Sequence, residues 1–316
     1  MAEKIICVVG PTACGKTKLG VLLAKRYDGE VVSADSMQIY KGMTIGTAAP
    51  TAEEMEGVPH HMIAVADPAE QWSAARYARA AVPIVDDILR RGKRPILVGG
   101  TGLWLDAVVQ GRTFAGGHAG GAVRRELQAQ LAREGIGPLL EELRQVDPEA
   151  AERLHPADEK RILRALEVYR ETGKTISAHN AETRDLPPRY DAVWIGLQFR
   201  DRADMKTLID RRVDVMVAAG LLEEVGQLRL LDSGVPAKCT AMQAIGYKEM
   251  AAALLSHGDV SAGAEEVKLR SRQYAKRQLT WLRRNPDIHW IWWEKDRDFA
   301  RALQVSTEIL AAAGVF

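Results

Sequence analysis

The stretch that decides the fold is Lys4-Ile5-Ile6-Cys7-Val8-Val9, followed at once by Gly10-Pro11-Thr12-Ala13-Cys14-Gly15-Lys16-Thr17. The first six residues form a short apolar run typical of a buried strand, and Leu19, Leu22 and Leu23 then begin a helical pattern. The spacing G-x-x-x-x-G-K-T brings backbone N–H groups and a helix N-terminus together around a phosphate. The glycines permit the tight turn, Lys16 supplies a positive charge, and the Thr17 hydroxyl can ligate Mg²⁺. The sequence therefore predicts a phosphate-binding loop between a strand and a helix.

Strand and helix patterns alternate along most of the chain. Strands are predicted at 30–34, 95–98, 192–199 and 288–293, and helices at 73–91, 205–218, 221–231, 242–255, 260–284 and 299–312. This alternation predicts an α/β fold, a P-loop parallel sheet flanked by helices. The sequence after Gly111 is helical, charged and poor in strands to about Glu182. We therefore expect an inserted helical subdomain at 113–189, within an α/β domain formed by 1–112 and 190–316.

The bulk composition limits the function classes. The 316 residues are 47% hydrophobic and 27% charged with a net charge of +1, so a nucleic-acid partner would bind at local charge clusters. No apolar stretch reaches the length of a membrane span and the N-terminus lacks a secretory signal, so we expect a cytoplasmic protein without a membrane partner. Cys7, Cys14 and Cys239 lack metal-ligand spacing, and the adjacent pair His60-His61 is expected to be structural.

Two polar residues stand where predicted strands end, the edge at which ligands bind in open α/β sheets. Asp35 follows the strand at 30–34, and Thr101 follows Val98-Gly99-Gly100. From the residues alone, two roles are equally possible for Asp35: a helix cap or a residue that contacts the ligands of a metal ion, or a general base. For Thr101, spacing alone favours the N-cap of the next helix.

Several blocks beyond the phosphate loop are distinctive. They include Ser33-Ala34-Asp35-Ser36-Met37-Gln38-Ile39-Tyr40, residues 45–48 and 58–61, Val98-Gly99-Gly100-Thr101-Gly102-Leu103, residues 161–168, Ala244-Ile245-Gly246-Tyr247-Lys248-Glu249, and residues 273–278 with Trp281. Together these blocks resemble the bacterial tRNA dimethylallyltransferase family, also called IPP transferases, over nearly the whole chain. Residues 116–121 depart most from the family pattern.

The resemblance implies an activity, a cofactor and roles for particular residues. It implies transfer of a dimethylallyl group from dimethylallyl diphosphate to N6 of an adenosine next to the tRNA anticodon, position 37, with release of diphosphate. Residues 10–17 and Arg212 would hold the diphosphate with Mg²⁺, and the implied catalytic residues are Asp35 as base toward the adenine, Thr101 and Lys16. The implied contacts with the tRNA anticodon stem-loop are Asp35, Ser36, Met37, Gln38, Thr101, Arg124, Lys160, Arg161, Ile162, Leu163, Arg164, Gln243, Ala244, Ile245, Gly246, Tyr247 and Lys248. We expect a monomer.

A basic helix is predicted near the C-terminus. Residues 268–284 hold seven Lys/Arg and no acidic residue. On a helix one stripe would carry Arg270, Tyr274, Arg277, Trp281 and Arg284. Such a stripe offers charge for phosphates and rings for base stacking, so Arg277 joins the predicted tRNA contacts. From the residues alone, the favoured alternative is that the rings are core and the arginines a solvated face.

Two other classes of protein compete with the transferase. A P-loop kinase would transfer the terminal phosphoryl group of ATP, with the helical insertion as a lid. A nucleotide-gated RNA-binding module would need neither Asp35 nor Thr101 at the strand ends. The kinase does not explain the blocks from Asp158 to Trp281 or the basic helix near the C-terminus.

Overall fold

A parallel sheet organises the computed structural model, which describes residues 4–111, 121–184, 186–230, 239–255 and 259–316. The strands of these residues are β1 (Lys4–Val9), β2 (Gly29–Ser33), β3 (His60–His61), β4 (Arg94–Gly99), β5 (Asp191–Phe199) and β6 (Ile288–Trp293). They lie in the order β3-β2-β4-β1-β5-β6, and every neighbouring pair is parallel. The predicted α/β fold with a parallel sheet is confirmed.

The helices fall into two compact units. The unit Met1–Gly111 with Arg189–Phe316 contains the sheet, and the unit Arg112–Pro188 is helical; we predicted the latter at 113–189. In chain order the helices are α1 (Lys16–Arg26), α2 (Ala52–Met55), α3 (Ala74–Arg90), α4 (Gly102–Val109), then α5 (Ala122–Glu134), α6 (Ile136–Val146), α7 (Pro148–Arg153), α8 (Glu159–Thr172) and α9 (Ile176–Arg184) of the helical unit, and α10 (Arg202–Ala218), α11 (Leu221–Leu230), α12 (Tyr247–Leu255), α13 (Val260–Leu282) and α14 (Phe299–Ala312). None of the helices described is long and apolar enough to cross a membrane.

Both faces of the sheet are covered at β1, which explains why this strand is apolar without interruption from Ile5 to Val9. Along β1 the side chains alternate between two cores. Ile5, Cys7 and Val9 join a core that includes residues of α3, α4, α12 and α13. Ile6 and Val8 join a second core that includes residues of α1 and α14. Helices thus cover the sheet on both sides and leave its carboxyl edge for the site.

Two elements differ from the sequence prediction. The helix predicted from 242 is instead a 3₁₀ turn at Ala241–Gln243 followed by α12 from Tyr247. The chain cannot stay helical between them, because Ala244 is extended and Gly246 has a φ of 97°. The histidine pair forms the short edge strand β3, which was not predicted as a strand.

A buried carboxylate ties the edge of the sheet to α3. Glu30 of β2 is 5% exposed and accepts two hydrogen bonds from the guanidinium of Arg91, at 2.5 and 2.9 Å. His61 Nε2 lies 2.8 Å from the same carboxylate. The hydrogen bonds from Arg91 are the main cause that lowers the pKa of Glu30 to about 2, against the opposing effect of burial.

This pKa predicts a stability that depends on pH. Because the folded-state value lies below the ordinary 4.5, Glu30 stabilises the fold above pH 4.5, and the contribution fades as the pH falls toward 2. We expect Glu30→Gln to lower the free energy of unfolding by about 2–3 kcal/mol at pH 7 and by clearly less at pH 3. Urea denaturation at the two pH values measures this, with exposed Glu53→Gln as control. An equal loss at both pH values would contradict the prediction.

Candidate active site

The phosphate loop follows β1 as predicted and leads into α1. Two of its glycines have no room for a side chain. A Cβ on Gly10, whose φ is +152°, would lie 2.4 Å from the carbonyl oxygen of Leu197. A Cβ on Gly15, whose φ is +95°, would lie 2.8 Å from the ring of Phe299. The loop can therefore take this path only with glycine at both positions.

Side chains distant in sequence hold the loop from outside. Gln278 Oε1 accepts a hydrogen bond from the Thr12 N–H at 2.8 Å. The Cys14 carbonyl accepts from Trp293 Nε1 at 2.8 Å, and the Ala13 carbonyl accepts from Arg297 Nη1 at 3.3 Å. Lys16 Nζ donates to the carbonyl of Pro11 at 2.8 Å. These bonds leave the remaining N–H groups at the start of α1 directed at a phosphate site.

Asp35 and Thr101 meet because β2 and β4 are neighbours in the sheet. The Asp35 carboxylate accepts from the Met37 N–H at 2.9 Å, which fixes its orientation in a tight turn. The Ser36 N–H donates to Thr101 Oγ1 at 3.1 Å. Thr101 occupies the N-cap position of α4, but its side chain makes no capping hydrogen bond. Its hydroxyl group is used to hold the turn that carries Asp35.

Two cavities in the sheet unit meet at this turn. The larger, of about 770 Å³, is lined by the phosphate loop residues Thr12, Ala13, Gly15, Lys16 and Thr17. The smaller, of about 280 Å³, is lined by Ser36 and Met37 and by the predicted tRNA contacts Gln243, Ala244, Ile245 and Arg277. The residues that line both are Thr12, Asp35, Thr47, Arg212, Met216 and Tyr274. Asp35 therefore stands at the junction of a phosphate site and a second opening.

Cations dominate the larger cavity. Its lining includes Lys16, Lys18, Arg211, Arg212 and Arg297. Burial lowers the pKa of the Arg212 guanidinium from its usual value, and the negative charge of Asp35 opposes that effect. Among the described residues no side chain forms an ion pair or hydrogen bond with Arg212. A partly buried cation that lines the same cavity as the phosphate loop, with no ion pair or hydrogen bond among the described residues, is suited to an anionic ligand.

A loop that lines both cavities is held by one carboxylate. Glu224 of α11 is buried and accepts hydrogen bonds from the N–H groups of Thr44, Ile45 and Gly46 at 2.8–3.0 Å. The hydroxyl groups of Thr44 and Tyr247 also donate to it. Burial raises the pKa of Glu224, but these hydrogen bonds together outweigh burial and lower it. No pattern in the sequence had singled out Glu224.

The predicted tRNA contacts of the sheet unit divide by burial. Gln243 and Lys248 are exposed, whereas Ala244 is buried and Tyr247 is fully buried. Tyr247 donates to Glu224, and its ring packs so closely on Gly46 that a Cβ there would lie 2.4 Å from it. The Tyr247 side chain is thus part of the core rather than of a surface that RNA could touch. Gln38 Nε2 donates to the carbonyl groups of Thr47 and Ala48, at 3.3 and 3.1 Å, so its amide also holds the loop.

The helical unit divides in the same way. Lys160 and Arg161 are exposed, while Ile162 and Leu163 lie in the core of the unit and cannot offer their side chains to RNA. Arg164 donates to the buried Glu167 at 2.7 Å, and Arg124 lies 3.7 Å from the same carboxylate. Arg164 and Arg124 therefore have a structural use as partners of Glu167. Of the predicted contacts here, Lys160 and Arg161 are the ones whose charges face solvent.

The residues of the stripe predicted on α13 differ in their surroundings: some are structural and others are exposed. Trp281 donates to Asp106 at 3.2 Å and packs where a Cβ on Gly102 would lie 2.0 Å away, so it is structural. The guanidinium groups of Arg277 and Arg284 lie over Tyr274 and Trp281, and both arginines are exposed. Tyr274 lines both cavities, and burial raises its pKa to about 12. Tyr274 is therefore a site residue that the sequence had placed only on an RNA-facing stripe.

The side chains that line the larger cavity determine which kind of metal ion could bind there. Among the described residues no group of three His, Cys, Asp or Glu could hold one. Thr17 and Asp35 contribute a hydroxyl and a carboxylate to the larger cavity. Mg²⁺ commonly takes one or two protein oxygens and completes its shell with water and substrate phosphates. The residues present fit a Mg²⁺ ion that arrives with a diphosphate, and they do not fit an all-protein metal cage.

A loop with the P-loop sequence pattern at the carboxyl edge of a parallel sheet, beside a carboxylate and a partly buried cation, is typical of enzymes that act on a phosphate-containing substrate, and the adjoining cavity leaves room for a second substrate. A family model described as IPP transferase matches residues 38–285, and the chain belongs to that family, as the sequence blocks predicted. It is 44% identical to the tRNA dimethylallyltransferase of Caldanaerobacter subterraneus subsp. tengcongensis, over 98% of each chain.

Solved structures show the same likeness. The full-length tRNA isopentenylpyrophosphate transferase from Bacillus halodurans is 42% identical with a TM-score of 0.73, over 98% of this chain and 96% of that one. A eukaryotic dimethylallyltransferase described as acting on tRNA is 28% identical with a TM-score of 0.83, over 98% of this chain and 80% of that one.

Proposed function

We propose that this chain transfers the dimethylallyl group of dimethylallyl diphosphate to N6 of the adenosine next to the anticodon of tRNA, position 37, and releases diphosphate. The observation that carries the proposal is the meeting of two cavities at Asp35, one lined by the phosphate loop and the other by predicted RNA contacts. The near full-length relatives named tRNA dimethylallyltransferase support it.

The larger cavity suits an allylic diphosphate. Lys16, Arg212 and the N–H groups at the start of α1 would bind the diphosphate oxygens. Mg²⁺, held by those oxygens and the Thr17 hydroxyl, would neutralise the charge that develops on the leaving diphosphate. Apolar side chains on the same wall offer a place for the allyl tail: Leu208, Val215 and Met216 of α10 and Ala219, which follows it.

Asp35 is placed to accept the proton. The exocyclic amine of adenine is a weak nucleophile, because its lone pair is delocalised into the ring. As N6 forms its bond to the allylic carbon, the carbon–oxygen bond to diphosphate breaks and the electron pair leaves with diphosphate. The proton lost by N6 passes to the Asp35 carboxylate, whose only hydrogen bond among the described residues is that from Met37.

An adenine can reach Asp35 only if it leaves its stack. A single-stranded loop allows this at low cost, and protein recognition of RNA sequence usually targets such loops. The smaller cavity, with Tyr274 and Arg277 at its wall, is the opening through which we place the base. Its volume of about 280 Å³ fits one flipped base rather than a helix.

One assay tests the proposal against its rivals. Purified protein is incubated with unmodified tRNA, Mg²⁺ and either dimethylallyl diphosphate or labelled ATP, and the digested nucleosides are analysed by mass spectrometry. We expect prenylated adenosine only with the allylic donor. A phosphorylated product from ATP without prenylation would indicate the kinase, and RNA binding without either product would indicate a binding module.

Removing the charge of Arg161 or of Arg277, both predicted tRNA contacts, should change the dependence of tRNA binding on salt. Each phosphate contact releases condensed counterions and contributes about −0.7 to −0.9 to the slope of log K against log salt. We expect Arg161→Ala and Arg277→Ala each to weaken tRNA binding and to flatten that slope by nearly one, without changing donor affinity. Filter binding across a salt series measures this.

The matched control is Arg301→Ala, which removes an exposed charge from α14. Arg164 is a poor choice, because its removal would leave the buried carboxylate of Glu167 with one partner fewer. If the slope were unchanged in both variants, Arg161 and Arg277 would be solvated surface residues that do not contact tRNA.

A further inference from the structure

Gln278 occupies an unusual place in the sheet unit. It lies on α13, is only 5% exposed, and lines the larger cavity. Its side-chain oxygen accepts from the Thr12 N–H of the phosphate loop at 2.8 Å. Its side-chain nitrogen donates to the Gly100 carbonyl at 3.2 Å. One amide thus joins the loop after β1 to the loop after β4.

The partners determine the orientation of this amide. A backbone N–H can only donate and a carbonyl oxygen can only accept, so the two bonds require one acceptor and one donor on the same side chain. Glutamine provides both, whereas glutamate would place an oxygen against the Gly100 carbonyl. The requirement explains a polar residue in a buried position, where an unpaired amide would be costly.

The fit around the amide is close enough to make it rigid. A Cβ on Gly100 would lie 2.1 Å from Gln278 Nε2, well inside van der Waals contact. Apart from Gln278, the nearest atom is the carbonyl oxygen of Gly10, at 3.2 Å, a contact that a shift of a few tenths of an ångström relieves. Gly100 therefore lacks a side chain mainly to admit Gln278.

The two loops joined by Gln278 position the two parts of the proposed active site, the diphosphate site and Asp35. Thr12 belongs to the loop proposed to hold the diphosphate. Gly100 precedes Thr101, whose hydroxyl accepts from Ser36 N–H beside Asp35. Hydrogen bonds therefore connect the phosphate loop through Gln278 to Gly100, and the neighbouring Thr101 continues the connection to the turn that carries Asp35.

We infer that Gln278 is a positioning residue that sets the distance between the diphosphate site and Asp35. This inference rests on the proposed function, since it concerns the alignment of the leaving group with the adenine. A misplacement of about 1 Å can cost roughly 100-fold in rate, so a partial loss of alignment should appear in kcat. Binding of each substrate alone depends on other contacts and should change little.

The test is a double-mutant cycle of Gln278→Ala and Gly100→Ala, with Gln304→Ala on the exposed face of α14 as matched control. We expect Gln278→Ala to lower kcat about tenfold, with the donor KM and the tRNA Kd within threefold. Gly100→Ala should do the same, because its Cβ displaces Gln278. The double variant should also lose about tenfold, since the second change removes nothing further.

Other outcomes overturn the inference. Losses that multiply to about a hundredfold would show that the two residues act separately, and a loss confined to tRNA affinity would make Gln278 an RNA contact. If Gln278→Ala fails to fold, as judged by circular dichroism, Gln278→Glu replaces it in the cycle.

A second measurement does not depend on turnover. Amide hydrogen exchange with inorganic diphosphate present should show loss of protection at Thr12 in the Gln278 variant, and unchanged protection overturns the inference. Wild-type protein that prenylates no adenosine would contradict the proposed function, whereas active wild type with equally active variants would contradict only the role of Gln278.

Discussion

Asp35→Asn is expected to lower kcat by roughly 100-fold or more while leaving donor affinity within a few-fold. Asparagine keeps the size of the side chain and can still accept the hydrogen bond from the Met37 N–H, so the turn should persist. It cannot accept the proton that N6 of adenine must lose. Steady-state kinetics with saturating tRNA and allylic donor, together with calorimetric titration of the donor, measure both quantities.

Asp67 provides the matched control. It forms the same kind of turn, accepting from the Ala69 N–H at 2.8 Å, and is exposed outside both cavities. Asp67→Asn should leave kcat unchanged. Near-normal kcat in the Asp35 variant would remove Asp35 from proton transfer and leave it as a residue of the turn.

Arg212→Met is expected to change stability and binding in opposite directions. The free protein should unfold at a slightly higher temperature, because a partly buried cation without an ion pair or hydrogen bond among the described residues is replaced by an apolar side chain of similar length. Donor affinity should fall about 10- to 100-fold, since charge-assisted hydrogen bonds to the diphosphate are lost. Thermal unfolding without ligand and calorimetric titration of dimethylallyl diphosphate measure the two effects.

Arg211→Met is the matched control, because it removes the same charge from an exposed neighbour that lines the same cavity. Solvent screens an exposed charge, so its effects on unfolding temperature and on donor affinity should both be smaller. If Arg212→Met lowered the unfolding temperature and left donor affinity intact, Arg212 would be a structural residue and the diphosphate would bind elsewhere.

Local signals in the sequence predicted the parts of the site that are local in structure. The phosphate loop needs only its own glycines, lysine and threonine, and β1 and α1 flank it as predicted. Asp35 and Thr101 were predicted to share an edge, since strand ends in a parallel sheet share one. The roles of these residues in catalysis, and of Mg²⁺, remain predictions that the experiments above test.

Contacts between segments distant in the chain could not be predicted from the sequence. Glu224 binds a loop about 180 residues away, and the pattern of α11 gave no sign that this carboxylate is buried. Gln278 was noticed only as part of a block shared with the family, because its two partners lie on loops far from α13. The family resemblance implied that Arg164 contacts tRNA, yet the buried Glu167 lies one turn further along α8 and accepts a hydrogen bond from it.

The way in which Glu224 holds the loop at Thr44–Gly46 has a consequence for altering the enzyme. Three of its bonds go to backbone N–H groups, which every residue except proline possesses. Ile45, which lines the larger cavity, can therefore be exchanged while the backbone that carries it stays in place. Gly46 is excepted, because the ring of Tyr247 fills its side-chain space. Position 45 is thus one at which the size and polarity of the proposed donor cavity can be altered without rebuilding the loop.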